Sequence, residues 1–350
     1  MYVPYLVYIN VRRHRNKKSI IEMGNNVWIG LPSEFLWRVP SGKATLAGPP
    51  FSSPFWCRVY EVFMAFSTPV TISLIYFSLV HYLNNFIEYR QQKMANTEAK
   101  DTRGSGKMKP IPFPIAKYRV FNLLVFLHNC FLCGYSVWTF LGVLSSFFKA
   151  NNLGESLVLD NLLERLFLKI CDIENGLFNK GMSRSLHFYG FWFYISKFYE
   201  IIDTIIILLK GRKASLLQSY HHAGAIMCMW AGMRFQSPPI WIFVVFNSFV
   251  HSMMYFYFAL SSISIRMPLS FKKYLTTLQI GQFVIGGSLA CLHAFIWYKT
   301  SDAAEPCNCI GSPHQAMPLL INVAYLAPLT AFFADFFIKS YSTNNKPKKA

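Results

Sequence analysis

The chain of 350 residues is 53% hydrophobic and only 14% charged, well below the roughly 25% of soluble domains. Several runs reach the roughly 20 apolar residues that cross a bilayer, which excludes an ordinary soluble enzyme and indicates an all-α polytopic membrane protein. The net charge of +18 is no sign of nucleic acid: no RNA- or DNA-binding motif is present, and Lys and Arg collect in loops and tails, where they orient the chain and meet anionic headgroups or a phosphate-rich soluble substrate.

Residues 1–58 are polar and basic, with Arg12, Arg13, Arg15, Lys17 and Lys18 clustered and Pro40, Pro49, Pro50 and Pro54 arguing for irregular structure. The opening MYVPYLVYI does not read as a cleavable signal. Residues 59–340 form the membrane domain, with seven spans expected at about 60–83, 119–147, 187–209, 215–233, 239–262, 274–298 and 317–340. A basic loop with GSG and KPIPFP, flexible around 91–110, follows the first span. Between the second and third, NLLERLFLKI has the pattern of an interfacial amphipathic helix.

Loops 84–118, 210–214 and 263–273 and the tail are rich in Lys and Arg and fall on one side, read as cytosolic. The charges of 149–186 balance, which suits the lumenal side. The N-terminal segment, lumenal by span count, runs against the rule with its eight Lys and Arg. The basic tail, 341–350, ends Lys346-Pro347-Lys348-Lys349-Ala350, which resembles a cytosolic endoplasmic reticulum retrieval signal or is a plain basic tail. The eight cysteines have no zinc spacing; Cys130 and Cys133 read as packing. Cys307 and Cys309 lie in a lumenal loop where a disulfide can form, with Cys171 a conceivable partner.

The most informative stretch is Gln218-Ser219-Tyr220-His221-His222, inside an apolar run. On a helix Gln218, His221, His222 and Ala225 share one face, and Ala223, Gly224 and Ala225 let a neighbouring helix approach closely. Other spans add polar residues at helical spacing: Lys197, Glu200, Asp203 and Thr204; Asn247, His251, Met254 and Tyr255; Thr276, Gln279 and Gln282; His128 and Asn129. All lie roughly 5–20 Å from the same membrane face at about 1.5 Å per residue. Each ionisable group costs about 2.5–3.5 kcal/mol at a helix centre. Ion pairing and interhelical hydrogen bonding account for some of them, but a shared depth is explained by one buried cavity opening to the cytosol.

A histidine here can be nucleophile, base or metal ligand. A di-iron site is short of histidines; a zinc site would draw on His221, His251 and Asp203. Without metal, two histidines on neighbouring helices suit acyl transfer: imidazole is already mostly neutral at pH 7, can attack a thioester, and gives a still-reactive acyl-imidazole. Asp203 could orient a histidine. Lys210, Arg212, Lys213, Lys272 and Lys273 suit the phosphates of coenzyme A, although topology alone also explains them.

These motifs together resemble the ELO family of fatty acid elongases, the very-long-chain 3-oxoacyl-CoA synthases of the endoplasmic reticulum. KxxExxDT is matched by Lys197, Glu200, Asp203 and Thr204; NxxxHxxMYxY by Asn247, His251, Met254, Tyr255 and Tyr257; TxxQxxQ by Thr276, Gln279 and Gln282; and an HN pair by His128 and Asn129. The histidine box departs from HxxHH, with Gln218 in first position, similar to filamentous fungal members and to elongases of polyunsaturated chains. The resemblance implies a seven-helix, barrel-like bundle enclosing an acyl tunnel, and a decarboxylative condensation of acyl-CoA with malonyl-CoA by a ping-pong route. It implies no cofactor beyond these substrates, and it implies membrane lipid and the other enzymes of the elongation cycle as partners, with a homo-oligomer also compatible. It implies His221 as nucleophile, His251 as the group that orients malonyl-CoA, and His222 and Asp203 as supports of the box. Gln218 and Asn247 would be hydrogen-bonding partners. A histidine-metal lipid oxidase and a non-enzymatic seven-helix transporter are the rival readings.

Overall fold

Helix dominates because the apolar runs leave their backbone groups no partner but each other. The computed structural model describes residues 10–12, 20–22, 26–42, 44–101, 110–149, 162–171, 176–178, 184–299 and 305–342. The helices are α1 (Pro54–Met64), α2 (Ser67–Asp101), α3 (Arg119–Lys149), α4 (Leu162–Cys171), α5 (Leu186–Tyr199), α6 (Ile201–Leu209), α7 (Leu216–Arg234), α8 (Ile240–Ser262), α9 (Leu269–Leu292) and α10 (Pro313–Phe337). The retrieval-like tail, most of the basic N-terminal cluster and the GSG loop lie outside the described residues.

Five of these helices are long and apolar enough to cross a membrane: Ser67–Asn96, Arg119–Lys149, Ile240–Ser262, Leu269–Phe295 and Pro313–Tyr341. Their outward faces stay apolar: Leu123, Leu124, Leu127 and Phe131 of α3 are each more than half exposed, as lipid contact requires. The chain is therefore a predominantly helical polytopic membrane protein. The expected third span is divided at Glu200 into α5 and α6, of 14 and 9 residues. The expected fourth is the 19-residue α7, which carries the histidines.

Three expectations need correction. The first span, expected at about 60–83, lies in α2, which begins at Ser67 and does not stop near 83 but continues to Asp101, because the segment beyond 83 has no Pro or Gly to break it. The expected sixth span ends at Leu292; Ile296–Tyr298 is a strand, β4, which β-branched and aromatic residues favour. The N-terminal segment is not wholly irregular: β1 (Asn10–Arg12), β2 (Ile20–Glu22) and β3 (Val27–Ile29) join β4 and β5 (Cys307–Asn308) in one antiparallel sheet of order β1-β2-β3-β4-β5. Trp28 pairs with Trp297, and Tyr298 with Cys307. The amphipathic stretch is α4, and its last residue, Cys171, is disulfide-bonded to Cys309 beside the sheet.

The core lies where α5, α7 and α8 meet, around Phe191, Tyr194, Ile226, Met233 and Val244. Glycines permit the closest approaches. A Cβ on Gly142 of α3 would clash with the ring of Tyr189 of α5, and one on Gly232 with Ile240. Gly211 has φ +70° and faces the Ile111 carbonyl, so the 110–113 segment crosses tightly over the α6–α7 turn, where Phe113 N–H donates to Leu209 O.

Candidate active site

The geometry starts at the N-cap of α7. Ser215 Oγ accepts from the Gln218 backbone N–H at 3.2 Å, a capping pattern that begins the helix three residues before Gln218. The Gln218 side-chain amide is then free to donate to His222 Nε2 at 2.8 Å, and it also reaches Thr204 Oγ1 of α6 at 3.4 Å. Thr204 in turn meets the Tyr76 hydroxyl of α2 at 2.8 Å. One turn of α7 thus holds His222 buried on one side and His221 facing the bundle interior.

His221 is 5.3 Å from His222 and 6.3 Å from His251 of α8, between ring centres. Its Nδ1 lies 2.9 Å from the Tyr325 hydroxyl of α10. His251 is buried; Asn247, one turn earlier on α8, donates from Nδ2 to His251 Nε2 at 3.3 Å. The same Asn247 accepts at Oδ1 from Lys197 Nζ at 2.9 Å. Lys197 is buried and paired with Glu200 at 2.7 Å, and Ser196 Oγ donates to the same carboxylate oxygen at 3.1 Å. Glu200 Oε1 stands 3.8 Å from His251 Nδ1, while Oε2 is buried without a hydrogen bond. His222 Nδ1 and Gln282 Oε1 are likewise buried and unpaired.

Of these groups, Lys197, His221, Asn247, Gln282 and Tyr325 border a cavity whose empty space, together with solvent at its open side, is about 530 Å³, whereas His222, Glu200 and His251 are not part of its lining. Its polar lining is Lys197, His221, Asn247, Gln282, Asn322 and Tyr325; beyond His221 on α7 the lining turns apolar, with Ala225, Met229, Phe243 and Phe246 among it. On α7, His221, Ala225, Cys228 and Met229 follow at i, i+4, i+7 and i+8, so a single helical face carries the cavity from imidazole to hydrocarbon. A reactive head with an apolar extension suits a long-chain acyl thioester.

Other expected residues lie elsewhere. Asp203 does not touch the histidine box: its carboxylate accepts from Tyr255 at 2.7 Å and meets His128 Nε2 at 2.8 Å. It therefore ties α6 to α3 and α8, with Tyr199 3.4 Å from His128 Nδ1. Asn129 bonds its own helix at Val125 O, and Thr276 bonds Lys272 O. Gln279 donates to Met254 Sδ at 3.4 Å, joining α9 to α8. Tyr257 packs on Phe258 and Phe271, away from the cavity. Among the described residues no three His, Cys, Asp or Glu side chains converge as metal ligands would.

The basic residues fall at the ends of the same helices. Lys210 caps α6, its pKa lowered by burial and then by Arg212. Arg212 is exposed and Lys213 pairs with Glu88 at 3.0 Å. Lys272 lies 5.8 Å from the Tyr257 ring centre and Lys273 5.7 Å from that of Phe337.

Sequence reasoning missed Tyr325 and Tyr76, two of 19 tyrosines outside any motif spacing. A hint existed in Gly224: small residues next to the histidines mark where another helix comes close.

The ELO: GNS1/SUR4 family profile matches residues 62–349. Fatty acid elongase A of Dictyostelium discoideum is 30% identical over 224 residues, covering 63% of this chain and 73% of that protein. Fatty acid elongase 2 of Trypanosoma cruzi is 30% identical over 162 residues, 45% of this chain and 57% of its own length. Very long chain fatty acid elongase 2 of Rattus norvegicus is 32% identical over 168 residues, 45% and 52% of the two chains. The match thus spans between about half and three quarters of these relatives. No solved structure matches the chain significantly. A profile match over most of the chain, including every motif around the cavity, places this chain in the GNS1/SUR4 family.

Proposed function

We propose that this chain is a fatty acid elongase that condenses malonyl-CoA with a long-chain acyl-CoA, giving 3-oxoacyl-CoA, CoA and CO2. The observation that carries the reading is the cavity itself: His221 stands at its polar wall, an apolar lining extends beyond, and His251 lies 6.3 Å away on a facing helix.

In the first half-reaction the His221 imidazole attacks the thioester carbonyl, the C–S bond breaks, and CoA leaves as a thiolate that takes up a proton. In the second, malonyl-CoA loses CO2, and the resulting enolate attacks the acyl carbon, releasing the imidazole. We assign His251 to the malonyl side: its Nε2 accepts from Asn247, so its Nδ1–H is the donor left to stabilise the enolate. Lys197 and Glu200 set the electrostatics of this wall; His222 and Gln218 brace the box. Asp203 and His128 act indirectly, by locking α6 to α3. Lys210, Arg212, Lys213, Lys272 and Lys273 attract the CoA phosphates, and no resident metal or organic cofactor takes part.

The protein is read as an endoplasmic reticulum membrane enzyme with seven spans, the broken α5–α6 and the short α7 completing the five long helices. Its N-terminus is lumenal and its C-terminus cytosolic, and it works with the other enzymes of the elongation cycle. The test is condensation of labelled malonyl-CoA with a panel of acyl-CoAs in microsomes, wild type beside His221→Ala and with strong chelators. Label in 3-oxoacyl-CoA that disappears in the variant and survives chelation supports the reading. No incorporation with any primer by folded protein refutes it, and stoichiometric iron or zinc in that purified protein then favours the metal-dependent oxidase.

A further inference from the structure

Tyr325 of α10 lies outside every motif and has no part in the scheme above. Its hydroxyl is 2.9 Å from His221 Nδ1 and 3.0 Å from the His221 backbone carbonyl oxygen. Its ring stacks on Tyr220 at 5.5 Å and 24°, and the Tyr220 hydroxyl donates back to Tyr325 O at 3.3 Å. The ring also rests on bare backbone: a Cβ on Gly224 would stand 2.2 Å from Tyr325 Cε2. Tyr220, His221 and Gly224 thus form a socket on α7 shaped for this one side chain, and any larger residue at 224 would expel it.

Hydrogen-bond chemistry then fixes the protons. A phenol has one proton to give, and a backbone carbonyl can only accept. If the phenol donated to Nδ1, two oxygen atoms would face each other at 3.0 Å with no proton between them. Both contacts are satisfied together when Tyr325 donates to the His221 carbonyl and His221 Nδ1–H donates to the Tyr325 oxygen. That arrangement leaves Nε2 without a proton.

We propose that Tyr325, admitted by Gly224, is the positioning residue that holds His221 as its Nδ1–H tautomer and so presents the Nε2 lone pair as the nucleophile. The inference rests on His221 being the acylated residue. In the acylation step the Nε2–C bond forms and the C–S bond breaks, with the electron pair leaving on sulfur. The Nδ1 proton stays in place, and the Tyr325 oxygen that accepts it stabilises the cationic acyl-imidazole. The CoA thiolate takes its proton from water.

The experiment uses full-length protein in detergent, wild type beside Tyr325→Phe and Gly224→Ala. Labelled palmitoyl-CoA is supplied without malonyl-CoA, CoA release is timed, and the label is mapped by peptide mass spectrometry. Nitrogen NMR of histidine-labelled wild type, with His221→Gln to assign the resonance, reads the tautomer directly. The expected result is label on His221, a protonated Nδ1 in wild type, and CoA release slowed about tenfold or more in Tyr325→Phe, the effect of one lost hydrogen bond to a reacting group. kcat/KM for malonyl-CoA, which in a ping-pong scheme reports the second half-reaction alone, should not move, whereas a general loss of structure would move both half-reactions. Gly224→Ala should fall in the same direction; if it does not fold, Tyr325→Phe, smaller by one oxygen, carries the test. Wild-type acylation of His221 by Tyr325→Phe, or a protonated Nε2 in wild type, overturns the proposal and leaves the acyl-His221 reading standing. Label on His251 or Cys228 instead overturns that reading itself.

Discussion

Lys197 and Asn247 meet across α5 and α8: the ammonium donates to Asn247 Oδ1 at 2.9 Å while the amide of the same side chain donates to His251 at 3.3 Å. One asparagine of the cavity wall therefore links the buried ion pair to His251. The side-chain amide supplies both the acceptor and the donor that this link needs.

Asn247→Leu removes both contacts without changing side-chain volume much. Lys197 loses its second acceptor and His251 its donor. We expect kcat to fall about tenfold to a hundredfold, one to two hydrogen bonds' worth of transition-state stabilisation. The KM for malonyl-CoA should rise more than that for acyl-CoA. Initial rates with each substrate varied in turn check this; equal changes in both would remove His251 from the malonyl side.

The Lys197–Glu200 pair is buried at both ends. Breaking one partner of such a pair strands the other charge, a loss of about 3–5 kcal/mol, while removing both is much milder. Lys197→Met and Glu200→Gln should each lower thermal stability in detergent, and the double variant should be less destabilised than the sum of the two. Strict additivity would mean that the pair is solvated and does not shape the site.

Cys171 and Cys309 close a loop across a sequence separation of 138 residues. Chain-entropy arguments put such a link at up to about 5 kcal/mol. Maleimide should label exposed Cys307 in unreduced protein at once, and label Cys171 and Cys309 only after reduction and unfolding. Cys309→Ser should lower the thermal midpoint of a preparation never exposed to reductant. Early labelling of Cys171 would show that the link is not formed in cells.

Much of this site was legible because membrane burial makes polar residues expensive. His221, Lys197, Asn247 and Gln282, spread over four helices, stand out against apolar neighbours and converge on one cavity. The pairings were not legible. Asp203 belongs to His128 and Tyr255 rather than to the box, because helix spacing says which face a residue occupies and not which neighbour faces it. Tyr325 was hidden for another reason: in a chain with 17% aromatics, one more tyrosine carries no signal until the glycine opposite it is located in space. The sheet escaped notice because three-residue strands pair over long separations, as Trp28 with Trp297 does, and short strands leave almost no periodicity.

If the acyl chain of the proposed substrate follows the lining of α7, depth along that helix measures its length. Ala225 lies one turn beyond His221 and Met229 two turns, roughly 6 and 12 Å along the helix at 1.5 Å per residue. A bulky residue at 225 should block nearly every acyl chain, whereas one at 229 should reject long chains and spare short ones. Filling a packed site also strains it by about 1–3 kcal/mol, so both variants should lose some stability. The diagnostic result is therefore a ratio within one preparation: Met229→Trp should keep its rate with short acyl-CoAs and lose it with long ones, while Ala225→Phe loses both. A uniform loss at Met229→Trp across all chain lengths would mean that the acyl chain does not run along this face of α7 and leaves the histidine by another route.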